Sequence, residues 1–109
     1  MMDVIKGLYE VALERKSTKQ EGSYTCYLFE QGLDKILKKC GEECSEVIIA
    51  AKNGKNEDTA NEICDLLYHL IVMMVESGIS MDEVEEILEQ RRQKIGNLKS
   101  SMSVTMNHK

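Results

Sequence analysis

The stretch GEECSEVIIAAKNGKNEDTANEICD, residues 41–65, decides the fold. Asn53-Gly54 is a stop signal, since Gly and Asn accept the left-handed backbone that ends a helix. Asn56 followed by Glu57 and Asp58 starts another helix, with acids in the first turn where the helix dipole favours them. Upstream of the stop, Leu33, Ile36, Leu37, Cys40, Cys44, Val47, Ile48 and Ala51 recur at helical intervals, and downstream of the start the pattern runs to Ser77 before Gly78. The stretch therefore reads as the bend of a hairpin between two long helices.

Working outward, Leu66 to Val75 is apolar nearly all round and must be buried on more than one side, which a 109-residue chain does not easily manage alone. This points to a second copy of the chain packed on that helix. On the N-terminal side, Val4, Ile5, Leu8, Tyr9, Val11 and Ala12 mark a helix from Val4 to about Lys16. Ser17 to Thr25 is polar, aperiodic and contains Gly22, which reads as a loop, and Cys26 to Gln31 makes one or two helical turns before Gly32. On the C-terminal side, Ser80-Met81-Asp82-Glu83 is a capping box for a last helix reaching about Ile95. The expectation is an all-α fold, an antiparallel bundle of four main helices in one domain over residues 1–96. Residues 97–109 are polar and read as a flexible tail.

Composition agrees. There is no proline, no tryptophan and one phenylalanine, a shortage of turn punctuation and aromatics that disfavours β-sandwiches and barrels. Fourteen basic against nineteen acidic residues give a net charge of −5, which argues against nucleic acid as a partner. The four cysteines form no C-x-x-C and no zinc spacing with the two histidines, so they read as reduced thiols, and Cys40, Cys44 and Cys64 as filler of an apolar core. No secretion leader reads at the N-terminus, and the greasiest run is far short of the roughly 20 residues that span a bilayer. A cytoplasmic location, away from membranes, is expected.

The chemistry lies in two acidic pairs, Glu43-x-x-Glu46 and Glu62-x-x-Asp65. Residues three apart on a helix lie about 60° apart around its axis, so each pair can share a ligand. At 1.5 Å per residue, Glu46 and Glu43 lie about 12 and 16 Å back from the bend, and Glu62 and Asp65 about 9 and 13 Å beyond it. The pairs thus fall at similar depth, and helices packed about 8–10 Å apart let all four carboxylates converge if both pairs point to one groove. Four anions in such a groove repel unless a cation neutralises them. An all-oxygen set suits Mg²⁺, with Mn²⁺ as a substitute, better than Zn²⁺. Glu42 is placed either to orient a water or to sit in solvent, and Lys39 either to pair with Glu43 or to meet an anionic substrate. His69, one turn after Asp65, reads as a hydrogen-bonded histidine inside a mostly buried helix.

Ser23-Tyr24-Thr25, Leu28-Phe29, Gly32-Leu33-Asp34-Lys35-Ile36-Leu37-Lys38-Lys39, Gly41-Glu42-Glu43-x-x-Glu46, Ala50-Ala51-Lys52-Asn53 and Asn61-Glu62-x-x-Asp65-Leu66-Leu67-Tyr68-His69-Leu70 resemble the phosphoribosyl-ATP pyrophosphatase family. The likeness spans about residues 3–96. The bare acidic pattern is shared with the wider MazG-like superfamily of all-α nucleoside-triphosphate pyrophosphatases, whereas the serine-tyrosine-threonine segment and the lysine-rich run are specific to the histidine-pathway enzyme. The resemblance implies Mg²⁺-dependent hydrolysis of 1-(5-phosphoribosyl)-ATP to 1-(5-phosphoribosyl)-AMP and pyrophosphate by a homodimer or higher homo-oligomer. It carries metal ligation onto Glu43, Glu46, Glu62 and Asp65, and substrate contacts onto Ser23, Tyr24, Thr25, Lys35 and Lys39. Catalysis would fall to Glu42, Glu43 and Glu46, with Glu42 taking the proton of the attacking water. The rivals are a house-cleaning (d)NTP pyrophosphatase of the same superfamily and a helical dimerisation module whose acids are surface charge.

Overall fold

The bend works because Gly54 takes φ +72°, a left-handed conformation that costs a residue with a side chain about 1–2 kcal/mol. Its N–H reaches the Ala51 carbonyl at 3.0 Å and that of Lys55 reaches Ala50 at 3.4 Å, so the carbonyls left over at the helix end are satisfied. The computed structural model describes residues 2–96. These form α1 (Met2–Ser17), α2 (Tyr24–Gln31), α3 (Leu33–Lys52), α4 (Asn56–Ser77) and α5 (Met81–Gly96). All elements among the described residues are helical, so the four long helices expected are present, with a fifth of two turns between the first pair. The tail expected at 97–109 lies outside the described residues.

α2 begins two residues earlier than its apolar pattern indicates. Ser23 has extended backbone and its hydroxyl accepts the N–H of Cys26 at 3.1 Å, an N-cap that turns Tyr24 and Thr25 from loop into the first helical turn. At its other end a single residue, Gly32, separates α2 from α3. Its φ of +95° turns the chain without a loop, while its N–H still closes on Leu28 and its carbonyl accepts from Ile36, each at 3.1 Å.

Residues up to Ile79 pack as one compact unit, and α5 with its cap belongs to a second. In the first unit α3 and α4 are the most extensively paired helices. Leu28 of α2, Ile36 of α3 and Val72 of α4 are fully buried against one another, with Cys40 and Tyr68 at their margin. Ala12 of α1 meets Ile71 and Val75 on a different face of α4, and the Tyr9 hydroxyl donates to the Ile79 carbonyl at 2.9 Å. Two faces of α4 are thus covered within the chain, while Leu67 in the same apolar run stays exposed. In the second unit the Ser80–Glu83 box closes reciprocally: Ser80 N–H donates to the Glu83 carboxylate, and Glu83 N–H to the Ser80 hydroxyl, each at 3.0 Å.

Apolar surface remains outside. Leu33, Leu37 and Ile48 on α3 and Ile63 and Leu67 on α4 are all exposed. Cys44 and Cys64 are exposed with them, which corrects the reading of these two thiols as core filler. The reason is angular, since Cys44 lies seven residues after Leu37 and four before Ile48 and so shares their outward stripe. Cys26 alone is buried; its thiol receives the Gln20 N–H at 3.3 Å and donates to the Arg15 carbonyl at 3.4 Å, tying down the turn before Ser23. Among the described residues no single helix is long and apolar enough to cross a membrane.

Candidate metal centre and substrate cleft

Lys35, Lys39, Glu43 and Glu46 follow one another at spacings of four, four and three, which places them along one track of α3. α4, running back from the bend, brings Glu62 and Asp65 to the same height. Glu43, Glu62 and Asp65 each offer a carboxylate oxygen within 4.8 Å of the others, Glu43 and Glu62 half-buried and Asp65 exposed. Around a divalent ion held at about 2.1 Å, ligand oxygens stand roughly 3–4 Å apart, so small side-chain rotations suffice to close this trio on Mg²⁺. Glu46 stands outside the trio and lines, together with Glu62, Asn53, Asp58 and Asn61, a cleft that continues toward the bend.

Charge within the cluster is costly. Partial burial raises the Glu62 carboxyl above the ordinary carboxylate value, and Asp65, Glu46 and Glu43 push it further in the same direction. Glu46 therefore acts on the cluster without touching it. Lys39 bridges Glu42 at 3.4 Å and Glu43 at 3.7 Å. Partial burial works against the charge on this ammonium, but Tyr24, Glu42 and Glu43 outweigh it and raise its pKa. Of the two alternatives left open for Lys39 by its spacing, the structure shows the ion pair with Glu43. Glu42 is about half exposed and faces Lys39.

The serine-tyrosine-threonine segment places its three side chains in three different settings, and only Tyr24 interacts with the charges of Lys39 and Glu43. Ser23 is the cap of α2. Thr25 is buried and its hydroxyl is hydrogen-bonded to that of Tyr68. Tyr24 is partly open to solvent, and its hydroxyl lies 2.9 Å from Nε2 of His69. Burial raises the Tyr24 phenol above its ordinary value; Lys39 opposes this, while Tyr68 and Glu43 add to it. Lys35 lies half-buried on the first turns of α3, one turn before Lys39, and makes no ion pair among the described residues. His69 is buried and bonded at both ring nitrogens, as its position in an apolar helix implies.

Tyr68 is the residue to which the acidic pattern assigns no role. It lies three residues after Asp65, on the cluster side of α4, and a phenol in an otherwise apolar run needs a hydroxyl partner; that was the available signal. The cleft residues Asn53 and Asp58 carry no such signal, because they reach the cleft only once the bend has folded.

A family model described as phosphoribosyl-ATP pyrophosphohydrolase matches residues 5–92. A phosphoribosyl-ATP pyrophosphatase of Clostridium novyi (strain NT) is 52% identical over 98 residues, covering 90% of this chain and 89% of its own. One from Clostridium botulinum (strain Kyoto / Type A2) is 58% identical with the same coverage. One from Streptococcus thermophilus is 52% identical over 102 residues, covering 94% of this chain and 98% of its own.

Proposed function

The chain belongs to the phosphoribosyl-ATP pyrophosphohydrolase family, and on that footing we propose that it hydrolyses 1-(5-phosphoribosyl)-ATP to 1-(5-phosphoribosyl)-AMP and pyrophosphate, a step of histidine biosynthesis. The observation that carries this reading is the convergence of Glu43, Glu62 and Asp65 from two facing helices. It is tested by pyrophosphate release from phosphoribosyl-ATP, run beside dUTP, dCTP and ATP. A preference for phosphoribosyl-ATP is expected; a preference for a deoxynucleoside triphosphate would make the protein a house-cleaning enzyme instead.

Glu43, Glu62 and Asp65, with Glu46 one turn along α3, would hold Mg²⁺ or Mn²⁺. When bound, the ion supplies charge neutralisation at phosphate oxygens and acidifies coordinated water. Lys39 and Lys35 add positive charge on the approach, where the outer phosphates arrive. Glu42 lies outside the acid trio, within reach of solvent, and is the carboxylate proposed to accept the proton of the attacking water.

The raised Glu62 carboxyl makes a stability prediction. An acid whose folded pKa lies above its unfolded value stabilises the fold at low pH, and that contribution is lost as pH rises through the folded value. Near neutrality the ionised cluster therefore works against folding. Glu62→Gln is expected to raise the Tm of the metal-free protein, and Mg²⁺ to raise the Tm of the unaltered protein more at about pH 7 than at about pH 5. Thermal unfolding with and without a chelator measures both, and a lower Tm for metal-free Glu62→Gln would contradict the reading.

A homodimer is part of the proposal. Its support is the exposed apolar stripe Leu33, Leu37 and Ile48 on α3 with Ile63 and Leu67 on α4, a surface of the kind that second copies cover. The four unpaired thiols suit a reducing compartment such as the cytoplasm.

A further inference from the structure

His69 is 6% exposed, yet both of its ring nitrogens are engaged. Nδ1 lies 2.7 Å from the backbone carbonyl of Asp65, one turn back along α4. A carbonyl oxygen only accepts, so the neutral ring carries its proton on Nδ1 and Nε2 is bare. The group facing Nε2, at 2.9 Å, is the Tyr24 hydroxyl, whose single proton must then point at the imidazole. The Tyr24 and His69 rings meet edge to face with centroids 5.7 Å apart, Tyr68 stands edge-on to the imidazole at 5.3 Å, and the two phenol rings stack on each other at 6.3 Å, so the three rings form one aromatic cluster. Tyr24 is 44% exposed and close enough to Lys39 and Glu43 to interact with their charges, so what it offers to a ligand arriving beside them is an oxygen with lone pairs and no proton.

We propose that His69 is a positioning residue that fixes the polarity of Tyr24, so that the phenol oxygen receives a hydrogen bond from a sugar hydroxyl or the adenine amine of the substrate and makes no bond to its phosphates. Phosphate oxygens are acceptors, and two acceptors repel. The phosphates are left to Lys39 and to the acidic cluster's cation, and Tyr24 reads the nucleoside side of the bond that breaks. This inference rests on the substrate proposed above and adds the division of labour within the site.

Two measurements test it. Nitrogen-15 spectra of the imidazole in the ligand-free protein are expected to show His69 protonated at Nδ1 and bare at Nε2; a ring protonated at Nε2 would overturn the assignment. Calorimetric titration in Mg²⁺ with phosphoribosyl-AMP and, separately, with pyrophosphate is expected to show that Tyr24→Phe weakens the former about fivefold, the value of one neutral hydrogen bond, and leaves the latter unchanged. His69→Phe removes the acceptor and frees the phenol proton while leaving its oxygen in place, so it should weaken phosphoribosyl-AMP by less than Tyr24→Phe does, with pyrophosphate unchanged or bound more tightly. His69→Gln, which can turn an amide oxygen to Tyr24, should recover most of the loss. Equal weakening of both ligands by Tyr24→Phe, or of neither, would overturn the proposal, and because Tyr24 is 44% exposed this variant does not depend on how His69→Phe folds. Unaltered protein that fails to turn over phosphoribosyl-ATP would overturn the proposed function and Tyr24's partner with it, while the tautomer would still stand or fall on its own spectrum.

Discussion

Asp65→Asn should lower turnover of phosphoribosyl-ATP by about 10²–10³-fold while the metal-free protein keeps its helical content and loses no Tm. The substitution keeps the side chain's shape and removes one of the three charges whose oxygens converge within 4.8 Å. Loss of one group aimed at developing charge in such a site is worth a few kcal/mol of barrier, and each 1.36 kcal/mol is about tenfold in rate. Glu43→Gln should cost about as much, and the double variant little more than either alone, because ligands of one ion act as a unit. Glu57→Gln, exposed in the first turn of α4 and away from the trio, should stay within about twofold. Steady-state pyrophosphate release across the four variants decides the matter. Near-normal rates for both single trio variants would remove the acids from the reaction and return the chain to the reading in which they are surface charge.

Leu28→Ala should cost about 2–5 kcal/mol of folding free energy, a large share of the 5–15 kcal/mol of a typical domain. Leu28 is fully buried where α2, α3 and α4 meet, in contact with Ile36 and Val72, and the cavity left there can collapse only by moving a helix. α2 is two turns long and its first turn carries Tyr24 and Thr25, so the same substitution should impair substrate binding at temperatures where the variant is still folded. Leu28→Met conserves volume and should cost less than about 1.5 kcal/mol. Urea unfolding gives the first quantity and the Michaelis constant the second; a stability loss below about 1 kcal/mol would mean that the three-helix junction is not where the fold is held.

Much of this arrangement is legible in residue order. Helical spacing, the Asn53-Gly54 stop and the Ser80–Glu83 box act locally, and the helices end where those signals stand. Equal depth of the acidic pairs follows from the rise per residue and the position of the bend. Other features were not legible. The start of α2 depends on a cap formed by Ser23, which a polar stretch hides among several other candidate residues. The covering of α4 by α1 on one face and by α2 and α3 on another depends on which helices dock, so an apolar run alone does not say whether neighbours or a second copy bury it. The outward stripe of Cys44 and Cys64 is of the same kind, since a helix with more than one apolar face does not declare which face is covered.

By itself the amino-acid order determined the helices, the hairpin and the family, because backbone preference and periodicity are properties of neighbours along the chain. Only the tertiary structure decided that Glu43, Glu62 and Asp65 close on one another while Glu46 stands aside, and that the Tyr24 hydroxyl faces the His69 imidazole. Those outcomes depend on the rotation of each helix about its own axis and on the rotamers packing permits, which are settled by contacts between residues distant in sequence.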